Sequence, residues 1–239
     1  MARPTIIFDL DGTLVDTAPD LTDTLNLILG REGLPPLDYD KARALIGFGA
    51  RRMIERGLAL SGKFVPASDI DRMFVDFIAH YSSHIADRSR PFPGLEAALD
   101  LLAARGCMFA VCTNKLEGLS VKLLEALGLA GRFAAICGSD TFGVQKPDPR
   151  AVLGALGKTG GEAAQAIMVG DSGTDIAAAK AAGIPVVAVD FGYTEIPVSQ
   201  LDPDKIISTF GDLPDAIGVL LRRKAAPAPQ GKEMPLACR

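Results

Sequence analysis

Residues 6–17 read IIFDLDGTLVDT, an apolar run that ends in two aspartates, Asp9 and Asp11. The apolar run is typical of a strand that is buried on both faces of a sheet. Two carboxylates this close together repel each other and lose part of their hydration at the mouth of a core. A fold tolerates such an arrangement when a positive group lies between the acids or when the strain has a use. The rest of the sequence must supply that group.

Apolar runs alternate with helical patterns over the C-terminal two thirds of the chain. Buried strands are predicted at 107–113, 133–138, 166–171 and 185–190, and a weaker one at 205–208. The stretches between them have helical spacing and mostly end in glycine, as helix C-termini tend to. Together with the first strand, this alternation predicts an α/β fold with a Rossmann-like parallel sheet flanked by helices.

Residues 18–87 interrupt the alternation, because they have helical spacing and no convincing strand. We predict an all-helical cap of the C1 type, inserted directly after the first strand, with residues 1–17 and 88–224 forming the α/β core. Residues 225–239 are rich in alanine and proline, which predicts a disordered tail. A length of 239 residues suits one α/β domain with an insertion.

Charge and cysteine content exclude several classes of partner. The net charge of −4 and the pI near 5.3 provide no basic surface for nucleic acid or for a membrane. A small anionic substrate would therefore need local positive charge. The four cysteines, Cys107, Cys112, Cys137 and Cys238, form no CxxC pair, and three lie in strand-like runs. Buried thiols in a reducing cytoplasm are expected, with no secretory leader and no membrane span.

Polar side chains follow the predicted strands at the edge where an open parallel sheet binds its ligands. In chain order they are Asp9, Asp11, Thr113, Asn114, Asp171 and Asp175, and the loop QKPDP adds Lys146. Carboxylate and carbonyl oxygens are the ligands that Mg²⁺ prefers. A magnesium ion would also allow Asp9, Asp11 and Asp171 to share one small volume.

Four sequence segments that contain these residues resemble the motifs of the haloacid dehalogenase-like phosphatase superfamily. DLDGTLVDT, VCTN, QKPDP and VGDSGTD occur in that family's order and span residues 9–175. The stretch IGFGARRMIERGL, residues 46–58, also resembles the cap of phosphoglycolate phosphatases. The resemblance implies a Mg²⁺-dependent phosphomonoester hydrolase that acts on 2-phosphoglycolate or a similar small phosphorylated metabolite.

The resemblance also implies roles for the acids. Asp9 would attack phosphorus and form an aspartyl-phosphate. Asp11 would protonate the leaving alkoxide and then deprotonate the water that cleaves the intermediate. Mg²⁺ would be held by the side chains of Asp9 and Asp171 and by the backbone carbonyl of Asp11. Gly12 would permit the turn after the acids, and Thr13 would help to fix it.

The remaining motif residues would hold the phosphoryl group. Thr113 and the backbone amide of Asn114 would bind phosphoryl oxygens, and Lys146 would neutralise both Asp9 and the phosphate. Asp175, in the first turn of the next helix, would steer Lys146 or a metal-bound water.

Other residues have two interpretations each. Thr17, with Asp20 three residues later, fits a helix N-cap, which is the favoured interpretation, although it also lies close enough to the predicted site to touch substrate. Arg51 is a candidate for binding a substrate carboxylate, although a solvated helix face is the simpler interpretation. His80 and His84 have the i, i+4 spacing of a zinc site, but the lack of a third ligand favours a pair on a helix surface.

Several rival functions use similar residues. A sugar-phosphate mutase, another sugar-phosphate phosphatase and a pyrophosphatase of the same superfamily stay open. Haloacid dehalogenation is disfavoured because it does not need Asp11. A signalling receiver domain shares the acids, the hydroxyl and the lysine, but it lacks Asp11 and an insertion of about seventy residues, the size of a small domain. A catalytically dead binding protein is disfavoured by the complete set of acids. The oligomeric state, monomer or homodimer, is left open.

Overall fold

The first apolar run forms the central strand of a six-stranded parallel sheet. The structure is a computed structural model that describes residues 3–194 and 196–225. Its strands are β1 (Thr5–Phe8), β2 (Val15–Asp16), β3 (Arg90–Pro91), β4 (Met108–Cys112), β5 (Ala135–Cys137), β6 (Ala166–Gly170), β7 (Val186–Val189) and β8 (Lys205–Ile207). The large sheet has the order β5-β4-β1-β6-β7-β8, and all of its pairings are parallel. The predicted parallel sheet is therefore confirmed, with each strand slightly shorter than its apolar run.

Strand β1 pairs with β4 on one side and with β6 on the other. Ile6 is opposite Phe109 in β4 and Ile167 in β6. The strand order runs outward in opposite directions from β1, so β1 lies at the point where an open α/β sheet forms a crevice. The polar residues that follow β1, β4 and β6 are consequently brought to one edge.

Helices cover both faces of the sheet. They are α5 (Leu95–Ala104), α6 (Glu117–Ala126), α7 (Pro149–Thr159), α8 (Gly173–Ala181) and α9 (Leu213–Ala225). Because side chains alternate along a strand, Ile6 and Phe8 enter one apolar core and Ile7 enters the other. All three side chains are fully buried. This double burial explains why the strand sequence is continuously apolar.

The segment between β2 and β3 contains four helices. They are α1 (Ala18–Arg31), α2 (Tyr39–Arg43), α3 (Ala50–Leu60) and α4 (Ala67–Ser83), and we call them the inserted helices. The helical spacing of the sequence continues across residues 39–60, but the helix is broken between α2 and α3. Gly47 and Gly49 have φ values of +106° and +86° there. Backbone of that kind favours glycine and ends a helix.

A short antiparallel ribbon joins the inserted helices to the sheet. Val15 pairs with Pro91 and Asp16 with Arg90, so the outgoing and returning chains run side by side. This ribbon is not predictable from the sequence pattern, because two residues per strand are too few to show an alternating pattern.

Asp20 fastens the start of α1 to the returning chain. Its buried carboxylate accepts hydrogen bonds from the backbone N–H of Arg88 at 3.0 and 3.1 Å and from that of Ser89 at 2.8 Å. The Ser89 hydroxyl donates to the same carboxylate at 2.6 Å. One side chain therefore satisfies several donors where the two chain segments meet.

The structure bears differently on the predictions for the cysteines, for the C-terminal tail and for a membrane span. Cys107, Cys112 and Cys137 are buried free thiols, as expected, whereas Cys238 lies outside the described residues. Helix α9 continues to Ala225, one residue beyond the predicted core, and residues 226–239 of the predicted tail are outside the described part of the chain. Within the described ranges, no helix is long and apolar enough to cross a membrane.

Replacing Asp20 by alanine should destabilise the protein, because it leaves the partly buried N–H of Arg88 and the buried N–H and hydroxyl of Ser89 without an acceptor. We expect a loss of about 2–4 kcal/mol in the free energy of unfolding, measured by urea titration. Asp23→Ala is the matched control, since Asp23 is exposed and pairs with the Arg88 guanidinium at 2.7 Å. That change should cost less than about 1 kcal/mol. Equal losses in the two variants would contradict the anchoring role of Asp20.

Candidate active site

A buried lysine holds two of the acids at the carboxyl edge of the sheet. The Nζ atom of Lys146 lies 2.7 Å from Asp9 Oδ1 and 2.6 Å from Asp175 Oδ1. Asp9 directly follows β1, and its backbone N–H donates to Val169 in β6 at 2.9 Å. Burial disfavours the Lys146 ammonium, but Asp175 and Asp9 outweigh it and raise the lysine pKa above its ordinary value. This lysine is the positive group that the first motif requires.

Asp171 follows β6 and is held on both of its oxygens. The Thr13 hydroxyl donates to Oδ1 at 3.1 Å, and the Tyr193 backbone N–H donates to Oδ2 at 2.7 Å. Two glycines make room for it: a Cβ on Gly12 would lie 2.4 Å from Oδ2, and one on Gly192 would lie 2.2 Å from Asp171 Cβ. Gly12 also has a φ of +81°. Both glycines are therefore required by the packing around this carboxylate.

Asp175 serves the helix and the site at the same time. It occupies the third position of α8 in a capping box with Ser172, whose backbone N–H donates to Asp175 Oδ2 at 3.1 Å. The other oxygen, Oδ1, accepts from Lys146. Asp175 therefore caps the start of α8 and contacts the buried lysine at the same time.

The carboxylates of Asp9, Asp171 and Asp175 form a group that could bind a metal ion. One oxygen from each lies within 4.8 Å of the others. Burial raises the pKa of Asp9 to about 6, against the opposing charge of Lys146. Burial, followed by repulsion from Asp175 and Asp9, raises the pKa of Asp171 to about 8. Carboxylates destabilised in this way are stabilised by a cation.

The histidine pair does not add a second metal site. The rings of His80 and His84 are stacked with centroids 4.2 Å apart. Among residues 3–194 and 196–225, no metal-binding group of three or more side chains includes either of them.

The carboxylate of Asp11 has different partners from that of Asp9. It accepts from the Thr17 hydroxyl at 2.8 Å, and Lys115 Nζ lies 2.9 Å from both of its oxygens. The prediction that Thr17 caps α1 with its side chain is wrong: Thr17 stands at the N-cap position, but its hydroxyl makes no capping bond. It lies instead within reach of Asp11, which is a stronger acceptor than a neutral group.

Asn114 fixes the backbone of Lys146. Its amide donates to the Lys146 carbonyl at 3.1 Å and accepts from the Lys146 N–H at 2.9 Å. The same amide donates to the carbonyl of Gly47, between α2 and α3, at 3.2 Å. The hydroxyl of neighbouring Thr113 accepts from the Lys115 N–H at 3.2 Å. The Asn114 side chain therefore positions the lysine and connects the inserted helices to the sheet.

A cavity of about 290 Å³ separates the inserted helices from the acids. Its wall includes Asp9, Asp11, Thr113, Lys115, Tyr81 and Arg51. Arg51 also lines the cavity but is partly exposed, and its guanidinium pairs with Asp71 at 2.5 Å and with Glu55 at 3.5 Å.

Three residues of the site have no counterpart in the sequence prediction. Lys115 directly follows the predicted pair Thr113 and Asn114. Its position just after a strand end could therefore have indicated a site residue. Gly192 and Tyr193 lie shortly after the end of β7. The sequence predicts this strand, but no candidate site residue is predicted at its end.

Comparison with known proteins identifies the family. The family described as haloacid dehalogenase-like hydrolase matches residues 6–189. The phosphoglycolate phosphatase of Agrobacterium fabrum is 48% identical over 225 residues, which cover 94% of this chain and 97% of that protein. The phosphoglycolate phosphatase of Caulobacter vibrioides is 47% identical, with coverages of 93% and 94%. The chain belongs to the haloacid dehalogenase-like hydrolase family.

A solved structure extends the similarity to three dimensions. The crystal structure of a predicted phosphoglycolate phosphatase from Haemophilus somnus has a TM-score of 0.82 and 32% identity. The alignment covers 88% of this chain and 96% of that one.

Gly192→Ala should weaken divalent-cation binding, because its Cβ would lie 2.3 Å from Asp171 Oδ2 and force that carboxylate to move. We expect the Mg²⁺ affinity to fall about tenfold or more, measured as the concentration dependence of the Mg²⁺-induced shift in melting temperature. Gly30→Ala is the control, since a Cβ at Gly30 would meet nothing within 4 Å. An unchanged Mg²⁺ affinity in Gly192→Ala would show that Asp171 does not bind the cation.

Proposed function

We propose that this protein is a Mg²⁺-dependent phosphatase that hydrolyses 2-phosphoglycolate or a similarly small phosphate monoester through an aspartyl-phosphate on Asp9. The observation that carries the proposal is the buried Lys146 ammonium between Asp9 and Asp175, beside Asp171. The relatives that are named phosphoglycolate phosphatases support the choice of substrate.

The reaction consists of two displacements at phosphorus. An oxygen of Asp9 forms a bond to phosphorus while the bond to the leaving oxygen breaks, and Asp11 donates a proton to that oxygen. Water then attacks the aspartyl-phosphate and gives a proton to Asp11, which releases inorganic phosphate and restores Asp9. Splitting the hydrolysis in this way replaces one difficult step by two easier ones.

Mg²⁺ would be held by the side chains of Asp9 and Asp171 and by the backbone carbonyl of Asp11, with Asp175 close by. When bound, it neutralises the nucleophile against the phosphate and stabilises charge on the transferring group. The formal charges favour a divalent ion: among the described residues, the three clustered acids, Asp9, Asp171 and Asp175, have one lysine, Lys146, in contact with them. Two uncompensated negative charges are left for a cation to balance.

The phosphoryl oxygens would be bound by Thr113, by the backbone amide of Asn114 and by Lys146. The Asn114 side chain supports this role indirectly, because its paired hydrogen bonds fix the backbone of Lys146. A lysine held in this way is positioned before the substrate arrives, which lowers the cost of reorganisation.

The segment 18–87 would act as the cap of the site. Its helices form one wall of the cavity that also contains Asp9 and Asp11. A lid in this position excludes water while Asp9 attacks and limits the substrate to a small molecule. Because three thiols are free and buried, we also place the enzyme in a reducing cytoplasm.

The substrate is tested with a panel of phosphate esters assayed in the presence of Mg²⁺. We expect 2-phosphoglycolate to have the highest kcat/KM among phosphoglycolate, sugar phosphates, pyrophosphate and p-nitrophenyl phosphate. If an aryl phosphate does as well as phosphoglycolate, the substrate assignment is wrong while the phosphatase class stands. Conversion of one sugar phosphate into its isomer without phosphate release would indicate a mutase.

The roles of the two acids can be separated with Asp9→Asn and Asp11→Asn. Asp9→Asn should abolish turnover and the initial burst of nitrophenol from p-nitrophenyl phosphate, because no phosphoenzyme forms. Asp11→Asn should retain the burst, since nitrophenolate leaves without a proton, but turnover should fall by roughly 10²–10⁴.

Circular dichroism spectra should show that both variants are folded. A burst in folded Asp9→Asn would contradict the nucleophile assignment. Normal steady-state turnover in Asp11→Asn would contradict the proton-transfer role.

A further inference from the structure

The Lys115 side chain is a buried cation that the two displacements do not use. It is 5% exposed, and its ammonium lies between the carboxylate of Asp11 and the ring of Tyr81. The distance from Nζ to each Asp11 oxygen is 2.9 Å, and the distance to the centroid of the Tyr81 ring is 4.6 Å. All three side chains line the cavity. Burying an ammonium is costly, so a role in the site is the natural explanation.

We propose that Lys115 binds a carboxylate on the leaving group of the substrate and thereby selects esters of the phosphoglycolate type. This inference rests on the proposed function and names the residue that gives it substrate specificity.

The covalent structure of the substrate places its carboxylate near Lys115. Asp11, as the proton donor, must approach the leaving oxygen to hydrogen-bond distance, about 2.7 Å. In 2-phosphoglycolate the carboxylate carbon is only two bonds from that oxygen. Because Lys115 is in direct contact with Asp11, its ammonium is adjacent to the space that the carboxylate would enter.

Lys115 also has the capacity for a second anion. An ammonium has three N–H donors, and the contacts to the two Asp11 oxygens account for two of them. Tyr81 adds no competing charge, because burial, followed by the charges of Asp11 and Asp20, raises the pKa of its phenol well above its usual range. The Tyr81 hydroxyl is buried and has no hydrogen-bond partner among the described residues. The groups in contact with the Lys115 ammonium are therefore the Asp11 carboxyl, which takes two of its donors, and a neutral phenol ring.

Arg51 is the rival cation, and its contacts make it less suitable. It also lines the cavity, but 44% of its side chain is exposed, and Asp71 and Glu55 both pair with its guanidinium. A carboxylate would have to displace these pairs in a solvated position, where ion pairs contribute little. At Lys115 the same interaction would be shielded from water and correspondingly stronger.

The test compares two esters that differ only in charge: 2-phosphoglycolate and 2-phosphoglycolamide, in which a carboxamide replaces the carboxylate. The readout is the ratio of their kcat/KM values. In the wild-type enzyme we expect the carboxylate ester to be preferred by roughly 10- to 100-fold, the value of a hydrogen bond to a charged group. Lys115→Met should reduce this ratio to within about threefold of unity, mainly through a higher KM for phosphoglycolate.

The ratio separates substrate recognition from an effect through Asp11. If Lys115 acted only on Asp11, Lys115→Met would lower kcat for both esters and leave their ratio unchanged, which would overturn the proposal. Lys122→Met is the control, since Lys122 is an exposed lysine that donates to Ser82 at 2.9 Å. It should keep the wild-type ratio. Loss of the ratio in Arg51→Met, with retention in Lys115→Met, would assign recognition to Arg51 instead.

The wild-type enzyme provides a test that does not depend on the folding of a variant. A wild-type ratio near unity would overturn the role of Lys115, even if phosphoglycolate is a good substrate. Poor hydrolysis of phosphoglycolate by the wild type, with better hydrolysis of other esters, would overturn the proposed substrate itself. If Lys115→Met does not fold, Lys115→Gln removes the charge while it keeps a hydrogen bond to Asp11, and the same loss of ratio is expected.

Discussion

The contact of the Lys146 ammonium with Asp9 and Asp175 is the interaction on which the site depends. Without it, β1 and β6 would bring buried carboxylates together with no compensating charge, and the penalty for such groups is several kcal/mol each. The lysine reaches this position because Asn114 pairs with its backbone from the end of β4. Three strand ends and one loop are thus fixed relative to one another by a single buried cation and the amide that orients its backbone.

Much of this arrangement follows from the sequence, because a parallel sheet converts a linear pattern into a spatial one. Continuous apolar runs predicted the strands, and the carboxyl ends of parallel strands must lie at one edge. Asp9, Asp11 and Asp171 were therefore predicted to share one small volume. The structure places one oxygen of Asp9, Asp171 and Asp175 within 4.8 Å of one another, whereas the Asp11 carboxylate contacts Lys115 and Thr17. The pattern also identified Lys146, but only through its resemblance to a known motif, since a lysine in a loop is ordinarily exposed.

The sequence does not predict which hydrogen-bond or ion-pair partner a side chain contacts when more than one is possible. Thr17 occupies a helix N-cap position, and nothing in the local sequence reveals that Asp11 lies within reach of its hydroxyl. Lys115 is similar, because its partners, Asp11 and Tyr81, are distant in the chain and meet it only after α4 has packed over the sheet edge. Gly192 is needed only because Asp171 fills the space beside it. Such features depend on tertiary packing, which local patterns do not encode.

The links between the inserted helices and the sheet differ in kind, and this difference bears on how the cavity could open. Asp20 joins α1 to the returning chain beside the ribbon, where any rotation of the helices would be smallest. By contrast, Asn114 donates to Gly47, and Arg43 of α2 donates to the Gly192 carbonyl at 2.8 Å, beside the loop that holds Asp171. Moving α2 and α3 away from the sheet edge would break these two bonds and leave those of Asp20 intact. Asn114 therefore contacts both the backbone of Lys146 and the segment between α2 and α3, and the loop whose Tyr193 N–H holds Asp171 accepts a hydrogen bond from α2. The geometry of the acids is thus linked to the position of the inserted helices.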